Sequence, residues 1–134
     1  MAEIPAGTKR EEALVVTTEE AISFLGLDSA RVLSTPQMIL QMERTSRNAV
    51  LPLLDPGHDT VGTHVNVYHL AAAPLGSRVI FHSEVLWVED RRIQFKVEAV
   101  DEKGVKIGEG THERRVIDIA RFAEKMERAK AGLS

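Results

Sequence analysis

One helix signal followed by a run of alternating segments joined by tight turns constrains this chain more than any other feature. Ser34-Thr35-Pro36-Gln37 combines a hydroxyl cap, a proline in the first turn and a glutamine three residues after Ser34, which is how a helix begins. Either Ser34 or Thr35 fits the cap. Met38, Met42, Thr45 and Ala49 then recur at helical spacing with Ile39, Ser46 and Val50 beside them, so one side is suited to burial. Pro52 and Asp55-Pro56-Gly57 end the helix.

Strand patterns follow. From Val61 to His69 the alternation puts Val61, Thr63, Val65, Val67 and His69 on one face and Gly62, His64, Asn66 and Tyr68 on the other. Ala73-Pro74-Leu75-Gly76 is a turn, Val79 to Val88 a long strand, and Glu89-Asp90 turns the chain again. Ile93, Phe95, Val97 and Ala99 alternate with polar residues as in a half-buried antiparallel strand. Asp101 to Gly104 makes a further turn, Val105 to Val116 returns, and Asp118 caps a last helix that stops before Gly132. Ile119, Phe122, Ala123 and Met126 form one side of it. Ahead of the main helix, residues 1–10 read as a loose lead-in, Glu12 to Thr17 as a first strand, and Glu19 to Leu27 as a short helix or mobile flap stopped near Gly26.

One long helix and four or five antiparallel strands make an α+β domain, most economically a sheet curled around the helix. A chain of 134 residues without repeats or linkers is one domain's worth. An unpaired outer strand invites pairing with a second copy, so a homo-oligomer is expected. The net charge of −3 argues against nucleic acid as a partner. The absence of cysteine removes disulfides, thiolate metal sites and a cysteine nucleophile, and fits a cytoplasmic protein. MAEIPAGTKR does not read as a secretory signal. The apolar runs fall far short of the ~20 residues of a membrane span, so no membrane partner is expected.

Three polar groups stand where each needs a reason. Glu43 falls between Ile39 and Ser46 at the edge of the buried helix side. A carboxylate there loses hydration and must find a partner or hold its proton more tightly. It is either an edge glutamate paired with Arg47 four residues on, or a base or nucleophile. His69 is either a hydrogen-bonded core histidine or a proton shuttle. Thr35 is a helix cap or a group that polarises a carbonyl beside the positive helix end. His58, His82 and His112 read as structural, and His64 and His69, five apart on a strand, do not form a metal pair. GVKIGEG at 104–110 is not a dinucleotide fingerprint, and no GxSxG elbow or P-loop occurs.

In order and spacing these pieces resemble the hotdog-fold thioesterases, most closely those acting on fluoroacetyl-CoA. The likeness runs from about Val32 to Phe122. VLSTPQMILQME, LLDPG, VGTHVNVYHLAAAPLG, VEDRRIQFKVEAVD and GEGTHERRVI carry it. The resemblance implies a long helix wrapped by a curved antiparallel sheet, a homodimer, and active sites at the subunit interface; further pairing into a homotetramer is left open. It implies catalytic roles for Thr35, Glu43 and His69, a close backbone approach at Gly62 and an arginine near the pocket at Arg114. No metal or bound cofactor is implied; coenzyme A enters as part of an acyl-CoA substrate, with Arg114, Arg91 and Arg92 as candidates for its phosphates. For the last two, a solvated charged hairpin is the favoured reading. In the family, phenylalanines ahead of the helix cover the acyl group. Here that stretch, EEAISFLGLDSARVL, is shorter and has only Phe24. The expectation is therefore general hydrolysis of small acyl thioesters. A hydratase or dehydratase of the same fold and a non-catalytic acyl-CoA binder are the rival readings.

Overall fold

The structure, a computed structural model, describes residues 3–133. Its elements are β1 (Lys9–Val15), α1 (Thr35–Val50), β2 (His58–His69), β3 (Arg78–Glu89), β4 (Arg92–Asp101), β5 (Lys106–Asp118) and α2 (Ile119–Ala131). The strands form one antiparallel sheet in the order β1-β3-β4-β5-β2. β2 therefore follows α1 in sequence but lies at the edge opposite β1, and α1 crosses the sheet between them, touching all five strands. Met38 and Met42 of α1 pack into a core with Phe81, Ile93, Phe95 and Ile107. Among the described residues no helix is long and apolar enough to cross a membrane.

The cap of α1 is Ser34. Its backbone is extended and its Oγ accepts the Gln37 N–H at 3.2 Å, which satisfies one of the orphan donors of the first turn. Thr35 is thereby left free to turn its hydroxyl elsewhere. The buried side of α1 carries Met38, Met42, Thr45, Ser46, Ala49 and Val50, as the spacing requires. Ser46 is satisfied inside the core by the Met42 carbonyl and Ser83 Oγ.

Three expectations are corrected. The lead-in is not loose over the described residues: Ile4 is buried, the Gly7 N–H donates to the Val85 carbonyl and the Val85 N–H donates to the Thr8 carbonyl. Those bonds continue the β1–β3 ladder, so β1 begins at Lys9 and not at Glu12. Residues 1 and 2 lie outside the described residues. Of the two readings of Glu19 to Leu27, the helix is the one corrected: the segment is a set of turns with one bridge, Ala21 to Leu33, and Gly26 has φ of 81°, a left-handed backbone that interrupts a helix.

The third correction concerns β2. Its pairing with β5 slips between Gly62 and His64, so Thr63 is an extra residue, a β-bulge. Directly paired residues share a face. Gly62 opposite Arg114 therefore points to the helix side, and so do Val65 opposite His112, Val67 opposite Gly110 and His69 opposite Gly108. Strict alternation had set Gly62 and His69 on opposite faces. The bulge puts them on the same one.

Candidate active site

Thr35 is the first residue of α1 and His69 the last of β2, and the sheet brings these two ends together. Thr35 Oγ1 lies 2.7 Å from His69 Nδ1. His69 Nε2 is buried and, among the described residues, has no hydrogen-bond partner. Burial pushes the imidazole below the ordinary histidine value; the Ala71 backbone partly offsets this without giving Nε2 a bond of good geometry. The ring is thus neutral at physiological pH, with Nδ1 at the threonine hydroxyl. The pair lines an open groove of about 420 Å³ whose walls include Ile22, Phe24, Leu33 and Leu70. Phe24 is 79% exposed at its rim. Thr35 also stands at the positive end of a 16-residue helix, a favourable place for charge developing on a carbonyl oxygen.

Glu43 lies elsewhere in the same chain. It follows Thr35 by eight residues, about 12 Å along the helix axis. Its Oε2 is 3.5 Å from Arg114 Nη1. Arg47 is not its partner: that guanidinium is bidentate on Asp59, at 2.8 and 2.6 Å. Arg114 is buried and fully engaged. Its Nε donates to Thr60 Oγ1 at 2.6 Å, Nη2 to the Thr60 carbonyl at 2.9 Å, and Nη1 to His112 Nε2 at 3.1 Å. Burial draws its pKa down, opposed by the charges of Glu43 and Asp59. A cation so fixed holds one end of Glu43 while the carboxylate stays 36% open.

Gly62 completes this second group. A Cβ built there would sit 2.6 Å from Glu43 Oε2 and 3.2 Å from the His112 ring. Only a residue without a side chain leaves that space, and the bulge turns it toward Glu43. The structure therefore joins Thr35 with His69, with Phe24 on the rim of their groove, and joins Glu43 with Gly62 and Arg114. Within one chain the two groups remain apart.

His112 is the residue sequence reasoning passed over. It is 1% exposed, stacks on Phe95 and bonds both ring nitrogens. Nδ1 faces the His64 carbonyl, which can only accept, and Nε2 faces an arginine, which can only donate. One tautomer satisfies both: Nδ1–H with a bare Nε2. His112 and Arg114 are two apart on β5 and so share a face; that pairing was the available signal.

Comparison with known proteins agrees with this architecture. A family profile described as fluoroacetyl-CoA-specific thioesterase matches residues 16–120. The fluoroacetyl-CoA thioesterase of Streptantibioticus cattleyicolor is 42% identical over 96 residues, which is 71% of this chain and 68% of that protein. A solved structure of the fluoroacetyl-CoA thioesterase FlK superposes with a TM-score of 0.84 at 32% identity, covering 94% of this chain and 97% of the other. The crystal structure of a hypothetical Thermus thermophilus protein, a thioesterase superfamily member, gives 0.90 at 32% identity, covering 99% and 98%. The helix-and-sheet arrangement is the hotdog fold. With its fold, its sequence and most of its length in agreement, the chain belongs to the fluoroacetyl-CoA-specific thioesterase family.

Proposed function

We propose that this chain hydrolyses small acyl-CoA thioesters to the free acid and coenzyme A, with Thr35, Glu43 and His69 as the catalytic residues. The observation that carries the reading is the 2.7 Å contact of Thr35 and His69 at the mouth of an open groove, in a chain of this family. The Thr35 hydroxyl and the α1 terminus face the thioester carbonyl oxygen as it gains charge. Glu43, held in place by Arg114, takes a proton from water as the water oxygen bonds to the carbonyl carbon. The C–S bond then breaks, and the thiolate takes up a proton passed through His69, whose low proton affinity makes the imidazolium a ready donor. Direct attack by Glu43, giving an anhydride that water opens, uses the same carboxylate. Gly62 admits the thioester beside it, and Phe24 borders the acyl end. No bound cofactor takes part.

The reading includes a homodimer. β2 is an edge strand paired only with β5, and Val65, Tyr68 and Leu70 on and beyond it are exposed. A two-fold axis pairing β2 with a second copy, passing at Asn66 and with the Thr63 bulge taken up on each strand, sets His69 of one protomer opposite Gly62 of the other. That arrangement brings the Thr35–His69 group of one chain to the Glu43 group of its partner, and two such dimers can stack into a tetramer. A cytoplasmic location accords with the lack of cysteine.

Assay of thiol release against short, aromatic and long acyl-CoAs tests the function. Release of thiol and free acid is expected, highest for small acyl groups, with Glu43→Gln lowering turnover by at least ~10²-fold while the circular dichroism spectrum is kept. Retention of thiol with formation of a hydroxyacyl thioester, or full activity of Glu43→Gln, overturns the reading.

A further inference from the structure

The chain entering α1 is the middle one of three short extended segments. On its outer side the Ile22 N–H donates to the Val32 carbonyl at 2.9 Å and the Ser34 N–H to the Glu20 carbonyl at 2.8 Å, around a bridge of Ala21 to Leu33. On its inner side the Leu33 N–H donates to the Ala73 carbonyl at 2.8 Å and the Leu75 N–H to the Arg31 carbonyl at 3.3 Å, around a bridge of Val32 to Pro74. Thr35 follows the middle segment and His69 shortly precedes the inner one, so the inner bonds hold together the two chain ends that meet at 2.7 Å. The two sides are fixed differently. Leu33 and Ala73 are buried, so core packing secures the inner side. On the outer side, none of residues 17–22 is buried.

One side chain fastens the outer segment. Arg31 Nη2 donates to the Thr18 carbonyl at 2.8 Å and the Ala21 carbonyl at 3.2 Å, while Nε donates to the Ile22 carbonyl at 2.9 Å. Among the described residues these three carbonyls accept from no backbone N–H. A planar fork of donors fixes several of them at once, which a point-like ammonium does not reproduce. What the fork holds up is one wall of the groove beside Thr35, where Ile22 and Phe24 stand. Among the described residues, the hydrogen bonds of residues 23–30 are local: Gly26 N–H to Ser23, Ala30 N–H to Leu27, and Asp28 accepting from the Arg31 N–H. Phe24, Leu25 and Leu27 are 79%, 56% and 66% exposed, so no core anchors this loop. Its place is set at its base, and Arg31 closes that base.

We infer that Arg31 is a positioning residue for acyl selection: by clamping the base of the loop it fixes how closely Ile22 and Phe24 stand to the acyl group. It acts through those two side chains and touches no reacting atom. The nature of the substrate rests on the thioesterase reading; the clamp does not. Without the fork, the loop populates positions in which the wall no longer meets a short acyl chain. Apparent affinity then falls with the fraction of molecules in the competent position. A long chain covers more apolar surface beyond Phe24 and loses less. Thr35 and His69 stay together, because the inner side keeps its backbone bonds and its burial.

Arg31→Lys keeps the charge and removes the fork; Arg31→Gln gives the same reading should the lysine form disturb folding. Amide hydrogen exchange in the full chain tests the clamp. The Ile22 and Ser34 N–H should exchange at least ~10-fold faster in the variant, with the Leu33 and Leu75 N–H at the wild-type rate. Calorimetric titration with S-ethyl-CoA and S-octyl-CoA, thioethers that hydrolysis cannot consume, tests selection. The ratio of ethyl to octyl affinity should fall by at least ~5-fold. For a short acyl-CoA the KM should rise while kcat holds within ~2-fold. Unchanged exchange at Ile22 and Ser34 overturns the clamp. Faster exchange with an unchanged affinity ratio, or a loss of kcat equal for all esters, overturns the role in selection. If the wild-type protein releases no thiol from any acyl-CoA, it is the thioesterase reading that fails, and exchange with the thioether titrations still decides Arg31.

Discussion

A buried histidine that must accept with one ring nitrogen and donate with the other has a single usable protonation state, and His112 is such a residue. A second ring proton would point at the Arg114 guanidinium and break the bond that holds Arg114 against Glu43. Burial keeps the His112 pKa down, the His64 carbonyl and Glu43 pull it up, and Arg114 adds to the depression. The sign of the consequence is fixed. As pH falls through the ordinary histidine range near ~6.5, the unfolded chain takes up a proton that the native state refuses, so stability declines on the acid side; His69 adds to the decline for the same reason. Glutamine at 112 can accept from Arg114 and donate to His64 without titrating. His112→Gln should therefore keep most turnover and show a smaller fall of Tm between pH 7 and 5. His112→Phe, which preserves the ring but strands a buried guanidinium N–H and a carbonyl, should lose about 1–3 kcal/mol and most of its turnover. Equal acid sensitivity in wild type and His112→Gln would count against this account. The sequence could not display the role, because it depends on Arg114, Glu43 and the β2 bulge converging from three elements.

At the scale of elements, the edge strand β1 is fastened to α1 through one carboxylate. Glu12 Oε1 accepts from Thr45 Oγ1 at 2.8 Å and Gln41 Nε2 at 3.1 Å, while Oε2 accepts from Arg10 Nε at 2.7 Å and Asn48 Nδ2 at 2.9 Å. Burial by itself would raise the Glu12 pKa, but the bonds from Arg10, Asn48 and Thr45 outweigh it and hold the carboxyl below its usual range. The stability this confers is present at neutral pH and is lost as pH falls through the lowered pKa. Glu12→Ala should cost about 1–3 kcal/mol in urea unfolding, since it leaves buried donors of Thr45 and its neighbours unmet. A loss within experimental error would show that β1 is held by its β3 ladder alone. Legibility differs sharply between elements. The start of α1 and the β3, β4 and β5 hairpins were readable because each rests on local chemistry: Ser34 as cap, Asp90 and Gly104 at positive φ in the turns. The register of β2 was not, because a bulge at Thr63 is set by pairing with β5. The segment from Glu19 to Leu27 has apolar residues at plausible helical spacing, yet Gly26 and the bridge to Leu33 draw it into turns over the Thr35 groove.

At the scale of the whole molecule, the separation of Thr35 from Glu43 decides how the proposed catalyst must be assembled. Both sit on one rigid helix, two turns apart, so no side-chain rotation within a protomer can merge their groups. The edge of β2 offers the remedy we propose: antiparallel pairing about a two-fold axis would exchange strand ends, placing the His69 end of one chain by the Gly62 end of the next. In the dimer proposed above there would be two composite sites, each drawing Thr35 and His69 from one chain and Glu43 from the other. Complementation tests this directly. Thr35→Ala and Glu43→Gln proteins, each nearly inactive alone, are mixed in denaturant and refolded together. Random pairing makes half the dimers mixed, and each mixed dimer keeps one intact site, so about a quarter of wild-type turnover should return. A site built within single chains would return none, since every chain in the mixture lacks one of the groups. A monomeric wild-type protein that remained fully active in sedimentation and assay at the same concentration would exclude the composite site outright.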